Sequence, residues 1–282
     1  MTIFKRQWSL QIDDLLIQAT TDKPDKVLEM EFNVSKSSTR EPNTAEIAVY
    51  MLQKTNRDKI ASSKDVTVTL KVGYEGQDLA QIFSGKSRHA YNEWDNGIVA
   101  TKVECDDGGT SFRNAVVSAS FGPDTSVLTV LKKAVESLGV GEGNLSDIPS
   151  VTLRNGESTY RNGTAIHGRA RNVVDRIVRS CGLRWSIQDG VFQLREAGKP
   201  IVTKAISLKS STGLVGSPRR TENHDGKPPV VEVDSLILPG FYPGKVIVLE
   251  SREVEGNFRI STVAFTGSSS GQWLAKLTMK EY

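Results

Sequence analysis

The chain has 282 residues, more than one domain usually holds, so two or three packed units are the natural expectation. With 38% hydrophobic and 24% charged residues it is too apolar for a disordered protein, and 36 Lys+Arg against 33 Asp+Glu leave a formal charge of only +3, too weak a field to single out nucleic acid as a partner. No stretch approaches the ~18 apolar residues of a membrane span, and the opening MTIFKRQWSLQIDDLL has no long apolar run or small-residue cleavage site, so the expectation is a chain without a membrane span, made and kept in a cytoplasm.

Between residues 26 and 105 the pattern is period-two alternation, which places one face of each strand in a core. Leu28, Met30, Phe32 and Val34 alternate with Glu29, Glu31 and Asn33; Ala45, Ile47, Val49 and Met51 repeat the pattern; Val66, Val68, Leu70 and Val72 do so against Thr and Lys; Val99, Val103 and Cys105 close the series. Turn-forming residues cluster between these runs, at 73–76 and at Asp95-Asn96-Gly97. Strands at such short spacing predict a barrel or sandwich.

After Gly122-Pro123 the period changes. Asp124 or Thr125 is placed to cap a helix that carries Val127, Leu128, Leu131, Val135 and Leu138 on one face, with Gly139 as its left-handed stop. Residues 139–163 read as a loop-rich connector, with a strand at 151–153 left open. A second helix over about 170–181 gathers Ala170, Val173, Val174, Ile177 and Val178 on one face, with Arg171, Arg176 and Arg179 elsewhere, and Gly182 ends it. Leu183, Trp185 and Ile187, then Asp189-Gly190, then Val191, Phe192 and Leu194 predict a hairpin, because Asp-Gly fits the type I′ turn that two-residue hairpins favour.

Residues 210–229 are polar, rich in Gly and Pro and without a hydrophobic period, and read as a linker or long surface loop. Strands resume at Val231 and Val233, at Val246 and Val248, at Phe258, Ile260, Thr262 and Ala264, and at Trp273, Ala275, Leu277 and Met279. So few strands do not bury both faces alone, so they are expected to pack against the N-terminal strands or share a sheet with them.

Reactive chemistry is sparse. Cys105 and Cys181 have no metal-ligand spacing and read as buried free thiols. His89, His167 and His224 form no HExxH or HxH pair, and the G-x-S-x-G, Walker A and dinucleotide fingerprints are absent from the sequence; Gly139, Gly141 and Gly143 follow a helix and read as a loop. Asp13-Asp14 and Asp106-Asp107 are the candidates for a hydrolase pair, but adjacent side chains point apart, and Asp106-Asp107-Gly108-Gly109 has the composition of a solvated turn. Arg161, Arg169, Arg171, Arg176 and Arg179 lack interleaved aromatic residues, which favours a solvated helix face or a protein interface over a phosphate-binding surface. No residue is assigned as catalytic, cofactor-binding or metal-ligating, and no cofactor or enzymatic activity is expected.

One stretch carries a resemblance. Asp234-Ser235-Leu236-Ile237-Leu238-Pro239-Gly240-Phe241-Tyr242-Pro243-Gly244-Lys245-Val246, followed by Leu249-Glu250-Ser251, Gly256-Asn257-Phe258-Arg259-Ile260 and a last strand around Trp273, resembles the phage baseplate hub proteins, and residues 125–138 and 168–195 look like the middle of that family. Pro243 presets the first position of a turn and Gly244 accepts positive φ, so the chain reverses before Val246. The resemblance implies a mainly β fold with an α+β insertion, two β-barrel tube-like domains flanking a helix-containing middle region. The corresponding boundaries are 1–118 for the first barrel-like domain, 119–165 for the connector, 166–205 for the helix-hairpin unit and 206–282 for the linker and second barrel-like domain. It also implies a homotrimeric ring in the virion's tail baseplate, assembled in the host cytoplasm. Its partners would be the tail tube protein, the central spike protein and other baseplate proteins, with DNA only as cargo passing through the lumen. Leu236, Ile237, Leu238, Phe241 and Tyr242 are the candidate interface. A tail-associated cell-wall hydrolase and a tail-tube initiator or binding module are the alternatives.

Overall fold

Alternating burial builds the N-terminal strands. The structure, a computed structural model, describes residues 5–19, 28–200, 205–221 and 229–281. Strand β1 (Arg6–Ile12) turns through Asp13, at φ 53°, into the short β2 (Leu15–Gln18), and β1 sends Trp8, Leu10 and Ile12 inward. β3 (Met30–Ser37) and β4 (Thr44–Tyr50) follow, and Met51 leaves the ladder at φ 55° with its side chain exposed, so the alternation stops one residue short of the sequence pattern. Helix α1 (Lys54–Ser62) buries only Ile60, which explains why no apolar period announced it. β5 (Thr67–Tyr74), β6 (Ala80–Asp95) and β7 (Ile98–Asp106) complete this stretch. β6 is 16 residues long and pairs with β5 up to Lys86 and with β7 from Lys86 onward, with a bulge in the β7 ladder between Ser87 and His89.

Next come α2 (Gly109–Asn114), β8 (Val116–Phe121), β9 (Thr125–Ser126) and α3 (Val127–Glu136). The cap of α3 is Ser126, whose Oγ accepts from the backbone N–H of Thr129 at 3.0 Å; Thr125 instead donates its hydroxyl to the Gly122 carbonyl, and Asp124 sits at φ 59°. Residues 151–153 are irregular. β10 (Thr159–Tyr160) pairs with β9, and β11 (Thr164–Arg169) pairs with β8. α4 (Ala170–Ser180) and the hairpin of β12 (Leu183–Gln188) with β13 (Val191–Glu196) follow the sequence expectation closely, and Asp189 at φ 55° with Gly190 at φ 78° makes the two-residue turn. α3, α4 and the hairpin enclose a core of Val127, Leu131, Val135, Val174, Ile177, Trp185 and Phe192.

The chain then forms β14 (Ile206–Leu208), β15 (Leu214–Thr221), β16 (Val230–Ser235), β17 (Val246–Glu250), β18 (Glu255–Ser268) and β19 (Trp273–Glu281). β15 corrects the reading of residues 210–229 as a linker; residues 222–228 of that stretch lie outside the described residues. The strand escaped notice because it is an edge strand with Pro218 buried, a register shift between Val215 and Arg219 and most other side chains exposed, so it has no alternation to read.

The strands join into one large sheet in the order β15-β16-β19-β18-β3-β4-β7-β6-β5-β1-β2, with β17 on β18 and β14 parallel to β17. The expectation that the C-terminal strands share a sheet with the N-terminal ones is met by β18, whose Thr262 to Ser268 half lies antiparallel to β3. Two compact units result: residues 1–37, 43–107 and 200–282 carry the large sheet, and residues 38–42 with 108–199 carry the helices. The fold is mainly β.

Candidate functional site

The segment singled out between β16 and β17 is a corner held by backbone and hydroxyl hydrogen bonds. Leu236 N–H donates to the Gly213 carbonyl at 2.8 Å, and Ser235 Oγ donates to the same carbonyl at 3.0 Å. Gly244, at φ 95°, donates to the Ile260 carbonyl at 2.8 Å, which docks the Pro-Gly turn on β18. Ile237 and Phe241 are buried in the core of the sheet unit, while Leu236 and Leu238 pack against that core with part of their surface free. Tyr242 is half-buried, and the Lys245 ammonium lies 5.4 Å from its ring centre.

The acidic pairs occupy different settings. Asp14 is exposed at the β1–β2 turn, and its ion pair with Lys59 at 2.6 Å lowers its carboxyl below the ordinary range. Asp106 and Asp107 are buried, which corrects their reading as solvated turn acids. Asp107 accepts from the backbone N–H of Asn43 at 2.8 Å and from its side-chain amide at 2.7 Å, so this carboxylate stitches β4 to the end of β7; Arg88 reaches Asp106 at 3.5 Å. The sequence could not show this, because Asn43 is remote along the chain.

The other polar candidates are absorbed by structure. His89 stacks on Tyr91, His167 lies on β11, and His224 lies outside the described residues. Arg161 pairs with Glu157, while Arg179 and Arg40 share Asp175. Arg169 precedes α4, and Arg171 has a buried Nε without an acceptor among the described residues. Cys105 is buried and Cys181 half-buried, both as free thiols. Among the described residues no three His, Cys, Asp or Glu side chains come together to hold a metal, and no helix is long and apolar enough to cross a membrane.

What the sheet does present is surface chemistry of a kind periodicity does not reveal. On the face turned away from the core, Glu46 of β4 stands directly opposite Glu104 of β7, in a groove of about 690 Å³ that Glu31, Asn33 and Lys102 also line. Lys102 is engaged by Glu93. Beyond β3, Arg259 of β18 stands directly opposite Lys280 of β19. Near the β6–β7 turn, Trp94, Ile98 and Met51 are large apolar side chains left exposed, with the Arg57 guanidinium 5.0 Å from the Trp94 ring centre.

The sequence profile of the family described as "Baseplate hub gp41" matches residues 10–271, nearly the whole chain. The chain belongs to that family of baseplate hubs. No curated protein sequence matches this hub. Its fold is shared with solved tail proteins: the 43 kDa tail protein of prophage MuSo2 from Shewanella oneidensis, at TM-score 0.64 and 9% identity, covers 97% of both chains. The tail protein from Neisseria meningitidis MC58 gives TM-score 0.62 and 9% identity over 99% of this chain and 97% of that one. An E. coli component of the type VI secretion system, itself described as structurally similar to the T4 tail proteins gp27 and gp5, gives TM-score 0.61 and 10% identity over 97% of the hub and 76% of its own chain. At such identities the likeness is one of fold. Family membership makes the hub a structural component of the virion tail, associated with other tail and baseplate proteins.

Proposed function

We propose that this hub assembles as a homotrimeric ring that adapts the sixfold tail tube to the threefold central spike and lines the tail channel, with DNA passing through as cargo. The observation that carries the reading is a repeated design within one chain. In this reading β1–β7 and β14–β19 act as two strand modules of the one sheet, and each has one long strand that pairs with two strands in succession, with a register shift close to the change. In the first, β6 pairs with β5 up to Lys86 and with β7 from Lys86 onward, with a register shift between Ser87 and His89; in the second, β18 pairs with β17 up to Arg259 and with β3 from Thr262, with a register shift against β19 between Ile260 and Thr262. Two barrel-like, tube-like modules per chain give six in a trimer, the number a sixfold tube requires, while the chain itself remains threefold. Ile237 and Phe241 would brace the corner from which Leu236, Leu238 and Tyr242 reach a neighbouring domain or subunit.

The hub has no catalytic part in this reading. Asp107, one of the two acids a hydrolase would have recruited, spends both carboxylate oxygens on Asn43. The test is the mass of the chain in solution, alone and mixed with its tube and spike proteins. A trimer is expected; a monomer that persists with both partners present overturns the ring. A peptidoglycan zymogram that clears, and fails to clear after a single Asp or Glu substitution, would put the hydrolase in its place.

A further inference from the structure

Three cross-strand pairs of the large sheet oppose like charges; one of them, Glu250 with Glu255, has the Lys209 ammonium on Glu250, and the other two have opposite signs. Glu46 and Glu104 face each other across β4 and β7 in the first module, and Arg259 and Lys280 face each other across β18 and β19 in the second. Like charges placed directly opposite destabilise an antiparallel pair, so both cost stability in an isolated chain. Arg259 is the more unusual of the four. Only 7% exposed, it leaves Nε and Nη1 buried without a hydrogen-bond partner among the described residues, and burial lowers its pKa. Buried guanidinium nitrogens are rarely left this way, because desolvation is offset only when an acceptor is supplied. Val246, its neighbour on β17, is also buried. The flanking Phe258 and Ile260 enter the core, so Arg259 is turned to the opposite face, as Glu46 is between Ala45 and Ile47.

We infer that the Arg259–Lys280 pair of one copy receives the Glu46–Glu104 pair of the next copy, closing the ring between the second module of one subunit and the first module of its neighbour. This rests on the trimeric reading and gives it a named contact. A ring-forming contact joins two different patches on each protomer, and the Arg259–Lys280 pair on β18 and β19 with the Glu46–Glu104 pair on β4 and β7 supplies two such patches. The near-neutral chain favours such a partner over a generic polyanion, since the charge here is segregated within the protein and only +3 in sum. The acidic pair lies in a groove open to entering side chains.

The experiment is a charge exchange read by sedimentation. Lys280→Glu and Glu104→Lys should each weaken trimer formation by about tenfold or more, and the chain carrying both should regain it, because every interface of the doubly substituted ring again pairs unlike charges. Arg259→Met should weaken the trimer while leaving the thermal midpoint of the dilute, monomeric chain unchanged or higher, since it removes a buried charge that the isolated chain does not satisfy. Single exchanges that leave the trimer intact, or a double exchange that fails to restore it, overturn the contact while the ring stands. A lower midpoint for monomeric Arg259→Met overturns it too, by showing that the guanidinium is satisfied within the chain. A wild-type chain that stays monomeric alone and with its tube and spike proteins overturns the contact and the ring together.

Discussion

Cys105 lies on the buried face of β7, where desolvation first, then the carboxylates of Asp106 and Glu104, pushes its thiol up to about 12 from an ordinary 9.0. Above pH 9.0 the unfolded thiol gives up a proton that the folded one keeps, so this residue's contribution is fully present below the ordinary pKa and is lost as pH climbs toward about 12. Cys181 is half-buried, and its thiol is raised by burial. With a thiol reagent at neutral pH the native hub should therefore titrate at Cys181, and Cys105 should react only on denaturation; two thiols reacting rapidly in the native protein would contradict the burial of β7. The spacing of the cysteines foretold free thiols, but the expectation that both are buried holds for Cys105 alone, since Cys181 is half-buried at the end of α4. Composition misplaced Asp106 and Asp107, because Asp-Asp-Gly-Gly looks the same whether water or a distant asparagine supplies the hydrogen bonds.

Elements whose signals are local were the legible ones. The Asp189-Gly190 hairpin needs only its two turn residues and the alternation on either side, and α4 needs only its apolar face, so both stand where the sequence placed them. α1 and β15 carry no such signal: one is polar almost all round, the other is a bulged edge with Pro218 inside it. The α3 cap shows the resolution limit, since Asp124, Thr125 and Ser126 are all good capping types and only backbone geometry chooses among them. Removing the Ser126 acceptor leaves the Thr129 N–H to water, so Ser126→Ala should lower stability by about 1 kcal/mol, seen as a lower urea midpoint. An unchanged midpoint would mean that the first turn of α3 does not depend on that hydroxyl.

At the scale of the molecule, the chain leaves the sheet unit after Asp107, forms a second core, and returns near Pro200 to complete the sheet. The return was legible in outline, because too few strands follow residue 230 to bury their own faces. Its register was not, since nothing local in Phe265 or Val34 says that these two residues pair across β18 and β3. The consequence is an asymmetry between fragments. Residues 108–199 own a closed core of helix and hairpin side chains and, cut from the chain, lose the 38–42 strap with its Arg40–Asp175 ion pair and the hydrogen bond from Arg195 to the Ser38 carbonyl. That fragment should fold alone with a cooperative urea transition. Residues 1–107 should not: without β18 the edge of β3 is unpaired, and Phe32, which meets Trp273 edge-on at 5.0 Å between ring centres, loses its packing partner. Circular dichroism through a urea titration of the two fragments checks both expectations, and a cooperative transition in 1–107 alone would show that the first strand module does not need the second.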